Sequence, residues 1–371
     1  MSTQNTFKEA ITERFYECLS NNFGKENFDE FRFGKYKSDS FAQELKEHLF
    51  CLLSTSLTKH RRDWLLESWL KRYGQPLEGL YRQLEPSSRA LLVDVIAYRM
   101  MGPRKVKLPL NNPEYWALIE KVKKLGDSND TINPNFLNII LEKFDLNAIG
   151  FDVRLYFNYL AIATDFVVEQ YALKLNGKAE IEAEPGDTVL DVGGCWGDTA
   201  LYFAHKVGAN GKVYSFEFIP GNIAIHNKNC ALNPSLQPRI ELVKHPVSNV
   251  SDQTIYYKDF GPASKIELAP FEGQTGSTTT LTIDDFVEKY NVAKVDFIKM
   301  DIEGAEPFAL EGAIKTIRKF KPKLAIANYH SMDDFTNLPQ WITDLGLGYK
   351  LHLGHYTIHA EETIIFAKAD D

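Results

Sequence analysis

The sequence predicts an α/β protein in which a mainly helical N-terminal region precedes an open sheet built largely of parallel strands. A short apolar strand, Thr188–Leu190, runs into a glycine-rich turn and then a helix, as the first strand of such a sheet does. Two later apolar strands, Lys212–Phe216 and Val295–Met300, each end at an acidic residue. Through the first 150 residues, apolar side chains recur at helical spacing instead.

A chain of 371 residues with 44% hydrophobic content is long enough to divide into two domains, and we expect these at residues 1–150 and 151–371. The helical patterns of the first domain lie in four segments: Phe41–Ser54, Arg62–Tyr73, Pro86–Met101 and Glu114–Leu125. The breaker Gly74-Gln75-Pro76 separates two of them, and Arg154–Gln170 is predicted to be a helix leading into the second domain. The first domain carries no catalytic motif, so we expect it to cover a substrate pocket, to form a homodimer, or to buttress the core.

The turn DVGGCWGDTA, residues 191–200, is the most informative segment of the chain. Gly193, Gly194 and Gly197 let the backbone turn tightly and approach a ligand, since no Cβ obstructs it. The pattern is neither G-x-G-x-x-G nor G-x-x-x-x-G-K-[ST], so a dinucleotide fingerprint and a phosphate-cradling loop are both unsupported. Asp191 would repel a pyrophosphate but suits the ammonium end of an amino-acid-like cofactor. This favours S-adenosylmethionine.

The second strand ends at Glu217, followed by Phe218. In doubly wound sheets an acid at this point accepts hydrogen bonds from the ribose hydroxyls of a cofactor, and we expect Glu217 and Phe218 to bind it. The alternative is a carboxylate that caps the helix starting near Pro220. Ser248 lies in the loop after the third strand, residues 245–249, where we expect adenine contacts made mostly by backbone groups.

Asp301, at the end of the strand Val295–Met300, is the predicted catalytic residue, and its alternative role is to cap the next helix. The strand Lys323–Asn328 continues into Tyr329-His330, which we expect beside Asp301. His330 is the predicted base that removes the proton of an acceptor hydroxyl, with a structural histidine as the alternative. Asp301 and Asn328 also offer oxygen ligands to Mg²⁺, which would lower the pKa of that hydroxyl.

Five segments occur in a fixed order: the glycine-rich turn, SFEFIP, TTTLTIDDF, VDFIKMDIEGAE and HYTIHAEETIIFA. Together they resemble the FkbM-type methyltransferases over roughly residues 150–371. The resemblance implies a Rossmann-like class I methyltransferase sheet of seven strands with a terminal antiparallel hairpin. It also implies S-adenosylmethionine-dependent O-methylation of a sugar, glycan or related secondary metabolite. Asp191, Gly193 and Gly197 match the cofactor loop of the family, Glu217 its ribose-binding acid, and Asp301 the acid after its fourth strand.

Composition bears on partners and location. The net charge of −8 argues against a general nucleic-acid binder, which usually carries a basic excess. The four cysteines, at positions 18, 51, 195 and 230, form no C-x-x-C pair and no zinc spacing, which indicates a reduced, cytoplasmic protein. The first ten residues are polar, and no apolar run is long enough to span a membrane, so we expect neither a cleavable signal nor a transmembrane segment.

Two other functions stay open at this point. A nicotinamide-dependent oxidoreductase would need the glycine turn to accept a pyrophosphate despite Asp191. A non-catalytic, cofactor-binding scaffold for a partner enzyme would keep the fold without turnover. The presence of Asp301 and His330 argues against the scaffold.

Overall fold

The computed structural model describes residues 6–27, 56–175 and 177–370, and the predicted helix Phe41–Ser54 lies outside these ranges. The N-terminal region has four α-helices among its described residues: Phe7–Cys18, Ser56–Gln83, Pro86–Met101 and Pro113–Lys123. The break predicted at Gly74-Gln75-Pro76 is wrong, because Pro76 lies inside the helix Ser56–Gln83. Leu77 and Leu80 of the next turn are buried in the core, and this packing outweighs the local cost of proline.

Strands begin before the predicted domain boundary. Three antiparallel strands form a small sheet: β1 (Gly126–Ile132), β2 (Leu141–Asp145) and β3 (Arg154–Phe157). The helix predicted over Arg154–Gln170 is therefore wrong in its first part, where the aromatic-rich segment pairs with β2 as such residues favour. A short helix, Tyr159–Ile162, a π-helical turn, Ala163–Val168, and the hairpin strands β4 (Leu173–Leu175) and β5 (Lys178–Ile181) follow.

A seven-stranded sheet forms the centre of the molecule, as predicted, in the order β14-β15-β13-β12-β6-β7-β8. Its strands are β6 (Thr188–Val192), β7 (Lys212–Phe216), β8 (Ile240–Val243), β12 (Phe297–Met300), β13 (Lys323–Ala327), β14 (Tyr349–His355) and β15 (Thr363–Ala369). Strand β15 runs antiparallel to β13 and β14, which confirms the terminal hairpin. The chain passes from β6 to β7 on one side and later places β12 on the other. Sheets of this kind bind ligands where the strand order reverses in this way, beyond the carboxyl ends of the strands.

Helices connect these strands on both faces of the sheet: Asp198–Lys206, Pro220–Ala231, Ile283–Lys289, Glu306–Glu311, Ile314–Phe320 and Asp334–Asp344. A second small sheet, between β8 and the helix Ile283–Lys289, contains β9 (Thr254–Lys258), β10 (Lys265–Glu267) and β11 (Gly276–Thr279). None of the described helices is both long and apolar enough to cross a bilayer.

The apolar side chains form two cores, one on each face of the central sheet. One contains Leu190 and Leu324 together with Phe7 and Leu92 of the N-terminal helices. The other contains Val189 and Ala325, the neighbours of those residues along the strands. Because adjacent strand residues point to opposite faces, this division follows the pleat of the sheet and not a boundary at residue 150.

Candidate active site

A cavity of about 460 Å³ lies at the carboxyl ends of β6, β7 and β12. Its charged lining is mostly acidic: the carboxylates are Asp165, Asp198, Glu217, Asp301, Glu303 and Glu362, and Lys299 is the lysine among the described lining residues. The loop that carries Phe136 and the insert around Gly261 meet over it, and the rings of Phe136 and Phe260 lie 5.2 Å apart. The cavity therefore favours cationic and neutral ligands over anionic ones.

The glycine-rich turn forms one wall of the cavity. Gly193, Cys195 and Gly197 all have positive φ, at 95°, 41° and 86°. A Cβ on Gly193 would lie 2.0 Å from the carbonyl oxygen of Asp301, so only glycine fits between the ends of β6 and β12. Gly193 lines the cavity, whereas Gly194 and Gly197 lie behind it and shape the turn.

Asp191 does not reach the cavity, which corrects its predicted contact with the cofactor. Its side chain has no exposed surface, and its Oδ1 lies 3.1 Å from Lys299 Nζ. The hydroxyls of Thr199 and Ser215 each donate a hydrogen bond of 2.9 Å to its carboxylate. Asp191 therefore ties the turn to β7, to β12 and to the helix that follows it.

Lys299 is the partner that the sequence prediction missed. Its Nζ donates to the carbonyl oxygen of Gly193 at 2.6 Å and also pairs with Asp191. Burial alone would lower the pKa of Lys299, but Asp191, Asp301 and Asp198 raise it above its ordinary value, so the ammonium stays charged. The available signal was a lysine in the middle of the otherwise apolar strand Phe297–Met300.

Glu217 lines the cavity at the end of β7, as predicted. Its Oε1 accepts the backbone N–H groups of Phe218 and Ile219 at 2.6 and 2.7 Å, and its Oε2 accepts the amide of Asn222 at 3.0 Å. Since a carboxylate has about four acceptor positions, one remains on Oε2 for a ligand. Phe218 lines the cavity beside it, but Ser248 does not. Residues 245–247, which directly precede Ser248, line the cavity instead.

Asp301 faces the cavity at the end of β12, and two tyrosines hold it. Tyr171 donates to its Oδ2 at 3.0 Å, and the Tyr329 hydroxyl lies 3.3 Å from both oxygens. Burial alone would raise the pKa of Asp301, but His330, Lys299 and Tyr171 together hold it below its ordinary value. Asp301 is therefore a carboxylate at neutral pH.

His330 does not line the cavity and is not a free base, which corrects its predicted role. Its Nε2 lies 3.2 Å from Asp301 Oδ1 and 3.2 Å from Glu306 Oε1. Burial alone would lower the pKa of His330, but the two carboxylates raise it to about 11. At neutral pH both ring nitrogens therefore carry protons, and the imidazolium balances the charge of Asp301 and Glu306.

The geometry does not favour the predicted Mg²⁺ pair of Asp301 and Asn328. Asn328 is fully buried and does not line the cavity, and its Oδ1 and Nδ2 lack a partner among the described residues. The ligand-type atoms that gather around Asp301 are those of Glu306 and His330, within 4.8 Å of one another. A protonated imidazole accounts for that grouping without a metal.

Similarity to known proteins now identifies the second half of the chain. Residues 180–351 match the family model described as the methyltransferase FkbM domain. The chain carries an FkbM methyltransferase domain. A solved FkbM methyltransferase from Methylobacillus flagellatus has 18% identity and a TM-score of 0.51, over 82% of this chain and 60% of that one. The chain thus spans less than two thirds of that protein's length.

A more distant structure is Aeropyrum pernix fibrillarin, solved with natively bound S-adenosyl-L-methionine. It has 14% identity and a TM-score of 0.33, over 64% of this chain and 99% of that one. No curated protein is similar enough in sequence to match the chain.

The match to the FkbM domain implies S-adenosylmethionine as a methyl donor. The cavity fits this cofactor in two respects. Its acidic lining suits a cationic sulfonium, and Asp198 Oδ1 and Gln170 Oε1 are buried oxygens of lining residues that lack a donor among the described residues. When bound, the cofactor supplies an electrophilic methyl group. Glu217 and Phe218, which line the cavity at the end of β7, would hold its adenosine part.

Proposed function

We propose that the FkbM domain methylates a hydroxyl of a neutral sugar, glycan or related secondary metabolite. The Asp301 carboxylate carries this proposal, because Asp301 lines the cavity and its backbone carbonyl lies against Gly193 of the glycine turn. A carboxylate at this point accepts a hydrogen bond from the acceptor hydroxyl and orients the oxygen for attack. Tyr171 and Tyr329 fix the position of the carboxylate.

Asp301 also receives the proton that the hydroxyl loses. The acceptor oxygen becomes strongly acidic as its bond to the methyl group forms, so a weak base is sufficient at that stage. A carboxylate whose pKa lies below its ordinary value can therefore serve. This mechanism needs neither a neutral His330 nor Mg²⁺.

The remainder of the lining supports a neutral acceptor. Tyr115, Phe136 and Phe157 offer aromatic faces to the apolar side of a sugar ring, and Asn158 and Ser264 offer polar groups to its hydroxyls. The lining carboxylates would repel a phosphorylated acceptor or a nucleic-acid backbone.

The proposed cytoplasmic location rests on the cysteines, of which Cys18, Cys195 and Cys230 are free among the described residues. A homodimer stays a prediction, and sedimentation of the purified protein would test it.

The test is an acceptor screen with S-adenosylmethionine, in which mass spectrometry detects methylated products and NMR locates the methyl group. We expect methyl groups on oxygen. We expect Asp301→Asn to keep the affinity for S-adenosylhomocysteine and to lose turnover by about a hundredfold or more. Asp344→Asn, an exposed control on the helix Asp334–Asp344, should retain both the affinity for S-adenosylhomocysteine and the turnover. Methylation on nitrogen, or full turnover by Asp301→Asn, would contradict the proposal.

A further inference from the structure

The glycine turn is poorly suited to bind the α-ammonium group of S-adenosylmethionine. Asp191 does not reach the cavity and pairs with Lys299 Nζ at 3.1 Å, and the carbonyl oxygen of Gly193 already accepts a hydrogen bond from Lys299 Nζ at 2.6 Å. A second ammonium at the same oxygens would lie next to a buried cation. The three N–H donors of the cofactor's ammonium therefore need acceptors elsewhere in the cavity.

Three buried side chains of the cavity offer such acceptors. Asp198 is 6% exposed, and its Oδ1 has no donor among the described residues. It is the first residue of the helix Asp198–Lys206, directly after the glycine turn. Gln170 is 5% exposed, and its Oε1 lacks a donor in the same sense. Asp165, also 5% exposed, lies in the π-helical turn Ala163–Val168, an element that often marks functional sites.

We propose that Asp165, Asp198 and Gln170 bind the α-ammonium group of S-adenosylmethionine. All three residues line the cavity and have side-chain oxygen acceptors. Among the described residues, Asp198 Oδ1 and Gln170 Oε1 receive no hydrogen bond. A buried polar atom without a partner is costly, and a ligand N–H that satisfies it recovers that cost on binding. This inference rests on the proposed use of S-adenosylmethionine and adds the residues that recognise its amino-acid end.

The charge state of the two acids supports the same conclusion. Burial and the charge of Asp198 raise the pKa of Asp165 well above its ordinary value. The charge of Glu362 raises this pKa further, and the charge of Lys299 opposes the shift. Burial raises the pKa of Asp198 to about 6, although Lys299 opposes the shift. Because the two carboxyl groups are coupled, a cation bound beside them favours their ionised forms. Binding of the ammonium group is therefore expected to lower the pKa of both acids.

Calorimetric titration of the full chain tests the site with three probes. These are S-adenosylhomocysteine, its deaminated analogue, and methylthioadenosine, which lacks the whole amino-acid part. We expect Asp165→Asn and Asp198→Asn each to weaken S-adenosylhomocysteine binding about tenfold or more, the usual effect of losing a charged hydrogen bond. The affinities of these variants for methylthioadenosine and for the deaminated analogue should change less than twofold. The matched control Glu217→Gln should weaken all three probes alike, because it acts on the adenosine part.

Two results do not depend on how the variants fold. The wild-type chain should bind the deaminated analogue at least about tenfold more weakly than S-adenosylhomocysteine. Repeating the titration at pH 6 in buffers of different ionisation enthalpy should show more proton release with S-adenosylhomocysteine than with methylthioadenosine, because the pKa of Asp198 is raised to about 6. Methylthioadenosine binding reports the fold of each variant.

The outcomes separate this inference from the proposed function. A wild-type chain that binds no S-adenosylhomocysteine refutes the proposed cofactor and this site with it. A wild-type chain that binds S-adenosylhomocysteine and the deaminated analogue equally well overturns the ammonium site alone. The same holds if Asp165→Asn and Asp198→Asn weaken methylthioadenosine as strongly as S-adenosylhomocysteine.

Discussion

Replacing Lys299 by methionine tests the buried ion pair that holds the glycine turn. Lys299 Nζ lies 3.1 Å from Asp191 Oδ1, and the two side chains are 2% and 0% exposed. Removing one partner of a buried pair leaves a charge without compensation and costs about 3–5 kcal/mol, whereas an exposed pair contributes about 0–1 kcal/mol. Methionine fills much of the lysine volume, so the loss reports charge more than packing. We therefore expect Lys299→Met to lower the free energy of unfolding by about 3–5 kcal/mol.

Urea unfolding followed by circular dichroism measures this loss. Lys350→Met is the matched control, because this lysine lies in the same sheet but is 67% exposed and pairs with the exposed Asp370. Its unfolding free energy should change by less than about 1 kcal/mol. Adding Asp191→Asn to Lys299→Met should restore part of the loss, since the double variant leaves no unpaired charge at position 191. Equal midpoints for Lys299→Met and Lys350→Met would refute the reasoning.

Three further predictions concern the site. Gly193→Ala should weaken S-adenosylhomocysteine binding about tenfold or more, because the φ of 95° and the 2.0 Å approach to the Asp301 carbonyl exclude a Cβ; an unchanged affinity by calorimetry would contradict this. His330, with its pKa raised from 6.5 to about 11, should stay protonated in NMR titrations between about pH 6 and 9. The contribution of His330 to the free energy of unfolding is complete below pH 6.5 and is lost as pH rises towards 11. His330→Gln should therefore make the free energy of unfolding less dependent on pH in this range. An NMR titration midpoint near pH 6.5 would contradict the raised pKa. Tyr329→Phe should lower kcat about tenfold at unchanged S-adenosylhomocysteine affinity, and an unaltered kcat would remove Tyr329 from the positioning of Asp301.

The sequence brought several predicted residues to one cavity because its signals are local. Glycines mark the turn after β6, and single acids mark the ends of β7 and β12. Parallel strands end at one edge of a sheet, so these separate signals predicted that Gly193, Glu217, Phe218 and Asp301 meet, and all four line one cavity. The seven strands and the terminal hairpin followed from the order of the same segments.

The roles of individual charges could not be predicted in this way, because they depend on partners from distant parts of the chain. Asp191 looked available for a ligand until β12 brought Lys299 against it. His330 looked like a base, and its contact with Glu306 and Asp301 makes it a cation instead. Asp165 lay in a segment predicted as a regular helix, and the structure turns that segment into the cavity wall.

The most direct test of the account is a calorimetric titration of the wild-type chain with S-adenosylhomocysteine and, separately, with NAD. The acidic cavity and the FkbM domain predict saturable binding of S-adenosylhomocysteine at one site and no binding of NAD. Preference for NAD, or no binding of S-adenosylhomocysteine by folded protein, would contradict the assignment of this cavity as a methyl-donor site.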